Sequence, residues 1–421
     1  MSYTSSIKIL GLIGLCCCFS TKTYSRNLTV EKNTPLSILR QAIQKAQPYD
    51  TIWVKNGIYT EGNLEITKPL TLIGIGLPTL DGLLKDEIFS VKSPNVTIQG
   101  FRIINSGYSS MEDKAGIRVY GVNHIQILNN RLENTFFGIY LTNAVNCRIE
   151  NNYLEAGKRE EYYIGNGIHL WKCDSAIIRG NTAKHHRDGI YFEFVTNTKI
   201  ENNYSEGNLR YGLHFMFSHQ NDYENNVFHN NGAGVAVMYS HHVTMRHNRF
   251  EDNGGGAAYG LLLKDIRDSH IENNVFTRNT SGVYMEGCSR SHIRHNDFKE
   301  NGYALRIMAS CDDNVVEFNN FYGNTFDVAT NGSLVLNSFN QNYWDKYEGY
   351  DLNRNGLGDV PYRPVSLYAM TLENVPSAVL LMRSFAVMLL DRIEKVVPAL
   401  TPENLKDNNP SIKPIMHNDK N

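Results

Sequence analysis

From Gly116 to Gly282 the chain repeats one pattern, a glycine followed by apolar and polar residues in alternation, as in "GIRVY", "GIYLT", "GIHLW" and "GIYFE". Period-2 alternation marks strands whose successive side chains face opposite ways. The glycines stand at Gly116, Gly138, Gly167, Gly189, Gly212, Gly234, Gly260 and Gly282, in steps of 22, 29, 22, 23, 22, 26 and 22 residues. A second marker, the last residue of "NN", "GN" or "HN", recurs at Asn130, Asn152, Asn181, Asn203, Asn226, Asn248, Asn274 and Asn296 with the same steps. Two markers in register define one repeating unit with two insertions. The unit is too short for a pair of packed helices, so each is a coil of strands and turns. The predicted fold is all-β: a right-handed parallel β-helix, a pectate-lyase-like solenoid of about a dozen coils of roughly 22 residues. The asparagines are expected to be structural, because stacked side-chain amides satisfy one another and the turn backbone along the axis.

The flanks carry a different period. "LSILRQAIQKAQ" has helical spacing and predicts a helix capping the open end of the solenoid, whose edge would otherwise invite aggregation. Pro376 to Val397 is apolar at helical spacing but is interrupted by Arg383, Asp391, Arg392, Glu394 and Lys395. That pattern predicts an amphipathic helix rather than a membrane span. Two roles stay open for it, a cap on the far end or a docking element for a membrane partner. The polar tail from Thr401 to Asn421 is expected to be loose. Lys8, the apolar run Ile9 to Phe19 and the small-residue site ending at Ser25 read as a secretory signal peptide. The expected division is therefore 1–25 signal peptide, 26–365 β-helix domain, and 366–421 C-terminal helical segment and tail.

Charge narrows the partners. Lys plus Arg number 41 against 43 Asp plus Glu, so the net charge of −2 provides no basic field for phosphates, and nucleic acid is excluded as a partner. Cys16, Cys17 and Cys18 fall in the signal, leaving Cys147, Cys173, Cys288 and Cys311 for an oxidising compartment. Cys288 and Cys311 take nearly the same place in adjacent coils, which admits either a disulfide or two buried thiols.

In the strand after each glycine, positions +1 and +3 are apolar and face the core, so +2 and +4 face outward. The +2 column reads Arg118, Tyr140, His169, Tyr191, His214, Ala236, Leu262, Tyr284, Arg306; the +4 column reads Tyr120, Thr142, Trp171, Glu193, Met216, Met238, Lys264, Glu286, Met308. A glycosidase needs two carboxyl groups about 5–9.5 Å apart. Glu193 and Glu286 are four coils apart, roughly 19 Å at ~4.8 Å per coil. Asp188 is five residues from Glu193 along an extended chain and is also too far. The face offers sulfur and imidazole instead: Met216 and Met238 in adjacent coils, with His214 two residues from Met216. Thioether and neutral imidazole suit Cu(I). His169, two coils from His214, is a relay or supporting candidate, and Trp171 and Tyr191 would shield the site. The bland alternative is that two methionines and a histidine fill a surface groove. His219, His241, His242 and Met245 follow in the turns, where they would either be solvated or extend a transfer path. Asp351 to Asp359, "DLNRNGLGD", follows the first nine positions of a calcium loop but has Tyr362 where the bidentate Glu belongs, so a tight Asx-rich turn competes with calcium.

With "AQPYDTIWVKNGIYTEG" and "ITKPLTLIGIG" near the start, "GNGIHLW", "RDGIYFE", "RYGLHFMFS" and "GVAVMYS" in the middle, and "NYWDKYEGYDLNRNGLGDVPYRP" near the end, the chain resembles the NosD family. These are periplasmic β-helix proteins that hand copper to maturing nitrous oxide reductase alongside an ABC transporter. The resemblance implies a non-enzymatic accessory protein of the periplasm that binds copper at His214, Met216 and Met238. Its implied partners are an inner-membrane ABC transporter permease, a copper chaperone donor and nitrous oxide reductase. Phe217 departs from the tyrosine expected after Met216, and the loop after Asp351 is richer in Asn than the family's acidic version. A carbohydrate-binding or carbohydrate-active β-helix is the other class left open, and paired outward carboxylates would favour it.

Overall fold

The computed structural model describes residues 25–31, 38–109, 111–157, 160–255, 258–332, 336–382, 384–396 and 405–416. The expected signal segment lies outside the described residues, apart from its last position. Each coil contributes one short strand to each of three parallel sheets, of 14, 13 and 12 strands. The first runs from Asn27–Val30 to Leu336–Asn340, the second from Ile58–Tyr59 to Tyr343–Trp344, and the third from Leu64–Ile66 to Phe326–Ala329. The solenoid is right-handed, the hand that twisted strands impose on parallel connections.

The repeat places like residues above one another, and the core is built from such columns. Phe228, Phe250, Phe276, Phe298, Phe321 and Trp344 form one continuous ring stack with centroids 5.4, 4.6, 5.0, 4.9 and 4.1 Å apart. All six are fully buried, so each adds apolar area and stacking contact to the next coil. The asparagine column is a hydrogen-bonded ladder. The Asn152 Oδ1 accepts from the Asn130 backbone N–H and side-chain amide at 3.0 and 3.1 Å, while the Asn152 amide donates to the Ile127 carbonyl at 2.9 Å. The ladder continues past Asn296 through Asn319 to Asn342. A second ladder, not singled out by the repeat spacing, runs through Asn208, Asn231, Asn253, Asn279, Asn301 and Asn324.

Both ends are closed. At the N-terminal end helix α1, Leu39–Lys45, buries Leu39, Ala42 and Ile43. Its first amides lack an adjacent capping side chain, and the Glu61 carboxylate accepts from the Leu39 and Arg40 N–H groups at 2.7 Å each. The far end departs from expectation. The single amphipathic helix expected over Pro376–Val397 is a 3₁₀ turn, Pro376–Leu381, and a helix, α3, Phe385–Val396; an earlier helix, α2, Leu367–Asn374, precedes them. Helix α2 lies against the outward side of the last coils of the third sheet, burying Tyr368, Ala369 and Leu372 while Glu373 holds Arg306 through two bonds of 2.8 and 2.6 Å. The end cap is the tail itself. Residues 405–416 are not loose: Asp407 and Ser411 bridge to Phe339 and Tyr343 of the final strands, and Leu405 and Asp407 are fully buried. An acidic residue taking the ladder's next position explains why a polar tail docks.

Candidate functional site

Strand register places the two outward columns as the alternation predicts. Tyr140, His169, Tyr191, His214 and Ala236 pair in sequence across adjacent strands, and so do Thr142, Trp171, Glu193, Met216, Met238 and Lys264. Met216 and Met238 are direct neighbours and both are half-buried. Glu193 and Glu286 are separated by Met216, Met238 and Lys264, so these two carboxylates do not share a site.

His214 is not on an open surface. It is only 4% exposed, because Tyr191 covers one side of the ring edge-on at 5.0 Å and Tyr211 covers another at 4.6 Å. Its Nδ1 stands 3.5 Å from Oδ2 of Asp188, a fully buried carboxylate whose Oδ1 accepts from the Tyr211 N–H at 3.3 Å. Both ring nitrogens of His214 are buried without a hydrogen-bond partner, and so is the Asp188 Oδ2 that Nδ1 faces. The Tyr191 hydroxyl reaches the Met216 sulfur at 3.7 Å and Glu193 at 3.4 Å, linking the two columns. Burial and the nearby Glu193 charge push the Tyr191 hydroxyl up to about 12, so it stays a proton donor.

His169 is brought onto the same file but not into the same cluster. The Tyr191 ring lies between it and His214, with centroids 4.6 Å from His169, and Tyr140 stacks on the other side at 4.2 Å. The His169 Nδ1 is engaged with the Asn166 side-chain amide at 3.1 Å. Burial, together with the Arg187 and Arg118 charges, pushes this imidazole down to about 3, so it is neutral at any ordinary pH.

Asp188 and Tyr211 were missed by the alternation. Each immediately precedes a repeat glycine, and simple parity places such a residue inside. The glycines interrupt the pairing: Asp188 pairs with Tyr211 and Ile190 with Leu213, while Gly189 and Gly212 are skipped. A Cβ on Gly189 would come within 2.7 Å of the Gly212 carbonyl and 2.2 Å of the Ser205 hydroxyl, so only glycine fits this close approach. The skip puts the residue before glycine on the outward face beside position +2, a placement that a parity change at the recurring glycines would have signalled.

Other expectations are settled by position. Met245 is a fully buried core residue of the first sheet, not a turn residue on a transfer path. Cys147, Cys173, Cys288 and Cys311 are buried free thiols, with the Cys288 N–H donating to the Cys311 sulfur at 3.4 Å. In the Asp351 loop the oxygens turn inward. Asp351 accepts from the Asn355 and Gly356 N–H groups, Asn353 and Asn355 each accept from the N–H two residues on, and Asp359 accepts from the Leu352 N–H. These are the bonds of an Asx turn, with Gly356 at φ +87°. Among the described residues no three His, Cys, Asp or Glu side chains converge on one point as a cation cage.

The site test for copper therefore rests on His214 and the two thioethers. A buried imidazole with neither nitrogen hydrogen-bonded and two methionines at neighbouring register positions make a soft, neutral donor set of the kind that fits Cu(I). A carboxylate at the other imidazole nitrogen is the usual orienting partner of a metal-binding histidine.

The fold defines a parallel β-helix protein, with His214, Met216 and Met238 on the outward side of one sheet. Residues 20–182 match the family model described as a right handed beta helix region, and residues 155–352 match the one described as periplasmic copper-binding protein (NosD). Over that second stretch, somewhat under half of the chain, the sequence is similar to the NosD family. A "Probable ABC transporter binding protein NosD" from Pseudomonas aeruginosa is 30% identical over 165 residues, 37% of this chain and 39% of that protein. The protein of the same name from Stutzerimonas stutzeri is 30% identical over 112 residues, 26% of each chain. The matched segments thus span well under half the length of these relatives.

Among solved structures the likeness is one of fold. The catalytic unit of a GH87 alpha-1,3-glucanase from Streptomyces thermodiastaticus superposes with a TM-score of 0.62 at 14% identity, covering 77% of this chain and 69% of that one. A mannuronan C-5 epimerase A-module from Azotobacter vinelandii gives 0.54 at 14% identity, covering 71% and 93%.

Proposed function

We propose that the protein is a copper-handling accessory protein of the periplasm, without catalysis of its own, that carries Cu(I) as cargo on His214, Met216 and Met238. The observation that carries this reading is the buried imidazole of His214, with neither nitrogen hydrogen-bonded, in the column next to that of Met216 and Met238, which are register neighbours. Asp188 orients the His214 ring through Nδ1, Tyr191 and Tyr211 exclude water from it, and Tyr191 donates to the Met216 sulfur when no metal is bound. His169 acts behind Tyr191 as a neutral support rather than as a ligand. The glucanase-like fold favours carbohydrate only by analogy, since Glu193 and Glu286 are far apart.

The protein's membrane partner in this reading is the permease of an ABC transporter, which the relatives' names support, and the resemblance of the sequence to the NosD family alone supplies nitrous oxide reductase as the client and a copper chaperone as the donor. The cleaved signal at Ser25 delivers the chain to that compartment. The docking element is the C-terminal helical segment. Leu380 and Phe385 are 87% and 79% exposed, and Leu381, Met388 and Leu389 are exposed as well. Among the described residues no helix is long and apolar enough to cross a membrane. Exposed apolar side chains in this number on an exported domain mark a contact surface.

Anaerobic Cu(I) titration of the chain from Arg26 onward, against a chromogenic competitor, tests the cargo site. The His214→Ala/Met216→Leu variant is expected to lose affinity, and undiminished affinity would remove His214 and Met216 from the site. Because the tail caps the solenoid, docking is tested by Leu380→Ser/Phe385→Ser rather than by truncation, with co-purification of the permease as the readout.

A further inference from the structure

One turn beyond the two methionines the chain gathers imidazoles that the soft-donor set does not use. From Met216 the chain runs to His219 in three residues, and from Met238 to His241 and His242 in three and four. The turns are fixed. The Ser240 Oγ accepts from the Ser218 N–H at 3.0 Å, and the two serine hydroxyls donate to the Met216 and Met238 carbonyls at 2.9 Å each. On this frame the His219 and His241 rings stack face to face, with centroids 3.9 Å apart and planes 10° from parallel. The His241 ring stands edge-on to His242, with their Nδ1 atoms 2.8 Å apart. The His219 Nδ1 is buried and has no hydrogen-bond partner.

We infer that His241 and His242 form a second metal site, a two-imidazole chelate for a divalent ion of the copper or nickel type, with His219 stacked parallel on His241 as the ring that holds it in place rather than as a ligand. Two nitrogens bound at about 2.0 Å and mutually cis at a right angle stand about 2.8 Å apart, whereas a tetrahedral ion spreads them to about 3.3 Å. The observed separation matches the cis edge of a square-planar or tetragonal ion, the geometry of Cu(II) and Ni(II), and imidazole rather than thioether is the donor such ions prefer. In the metal-free chain the same approach is a single N–H···N bond between the two rings, which the ion replaces. The ion enters from the solvent side, where His242 is exposed and His219 and His241 are half-buried. On the opposite side the file is closed by Arg267, which pairs with His241 one coil on, while the neighbouring Asp268 is held by Arg290. Residues, ion charge and geometry all differ from those of the Cu(I) site, so the two sites stand or fall separately.

The test is aerobic titration of the tag-free chain from Arg26 onward with Cu(II), read by electron paramagnetic resonance, with Ni(II) as a competing probe. The expected spectrum is tetragonal with couplings from at least two imidazole nitrogens. His241→Ala/His242→Ala, which removes both ligands, is expected to abolish the nitrogen-coupled Cu(II) signal, and His219→Ala, which removes the ring stacked on His241, to lower Cu(II) affinity by about tenfold, within the range seen when groups behind the ligands are removed. Met216→Leu/Met238→Leu should leave the Cu(II) spectrum unchanged, and the His241→Ala/His242→Ala chain should keep its Cu(I) affinity and its thermal midpoint. A wild-type chain without nitrogen couplings, or a double histidine variant that retains the wild-type spectrum, would overturn the inference.

Discussion

The Oδ2 atom of Asp407 accepts from both the backbone N–H and the side-chain amide of Asn342, at 2.9 and 3.0 Å, thereby occupying the rung that the next asparagine of the ladder would fill. The same oxygen accepts from the Trp344 indole at 3.2 Å, and Oδ1 accepts from the Gln341 N–H at 3.1 Å. A residue sixty-five positions away in sequence thus terminates the solenoid's longest polar column and fixes the ring that ends its aromatic stack.

Asp407→Ala strips these groups of their acceptor in a fully buried place. Unsatisfied buried donors each cost about 1–3 kcal/mol, and relaxation at the chain end offsets part of the sum, so a net loss of about 2–4 kcal/mol is expected. Asp407→Asn, which keeps an acceptor oxygen, should recover much of it. Urea denaturation followed by circular dichroism decides, and equal stability of the alanine variant and wild type would show that the tail is not the cap.

Asp188 should matter to metal and not to bulk packing. Asp188→Asn keeps the side chain's shape while removing the charge that orients His214, and about 10–100-fold weaker Cu(I) binding is expected. A Cu(I) titration at constant pH that shows no change would detach Asp188 from the site.

Met216 and Met238 face outward, so Met216→Leu and Met238→Leu should each alter stability by less than about 1.5 kcal/mol, as for other volume-conserving swaps. Thermal unfolding checks this against the Cu(I) loss expected for the same variants. A large stability loss would place the sulfurs in structural rather than cargo roles.

His186 heads the second asparagine ladder, its N–H donating to the Asn208 Oδ1 at 2.9 Å, and burial pushes its imidazole from 6.5 down to about 4. Above pH 6.5 the ring is neutral both folded and unfolded. Between 6.5 and about 4 only the unfolded chain takes up the proton, so folding stability falls with decreasing pH by about 1.4 kcal/mol per unit from this group. His186→Asn, which extends the ladder by one rung, should flatten that slope. Urea midpoints measured from pH 7 to pH 4.5 test it, and an unchanged slope would mean that other groups set the acid limit.

Glu373 is almost fully buried against Arg306, and Glu373→Ala leaves that cation without its carboxylate at a cost of about 1.5–3 kcal/mol. The loss falls on α2, so limited proteolysis should cut near residue 375 while the solenoid remains intact. Uniform resistance to protease would show that α2 is held by Tyr368 and Leu372 alone.

Repetition made most of the fold legible. Each coil restates the same alternation, so the strands, the core side of each strand, the first asparagine ladder and the neighbour relation of Met216 and Met238 all follow from local spacing. The sequence by itself also determined the donor chemistry, since thioether and imidazole at those positions are fixed by residue type. Only the tertiary structure decided what lay outside the repeat or across it. The skipped glycines reverse parity at one position, which turns Asp188 toward His214 and brings Tyr211 over its ring. The Asp351 loop spends its oxygens on its own amides, and a tail that reads as loose supplies the final rung through Asp407. These depend on contacts between residues remote in sequence or on a local break in period, and periodic reading carries no information about either.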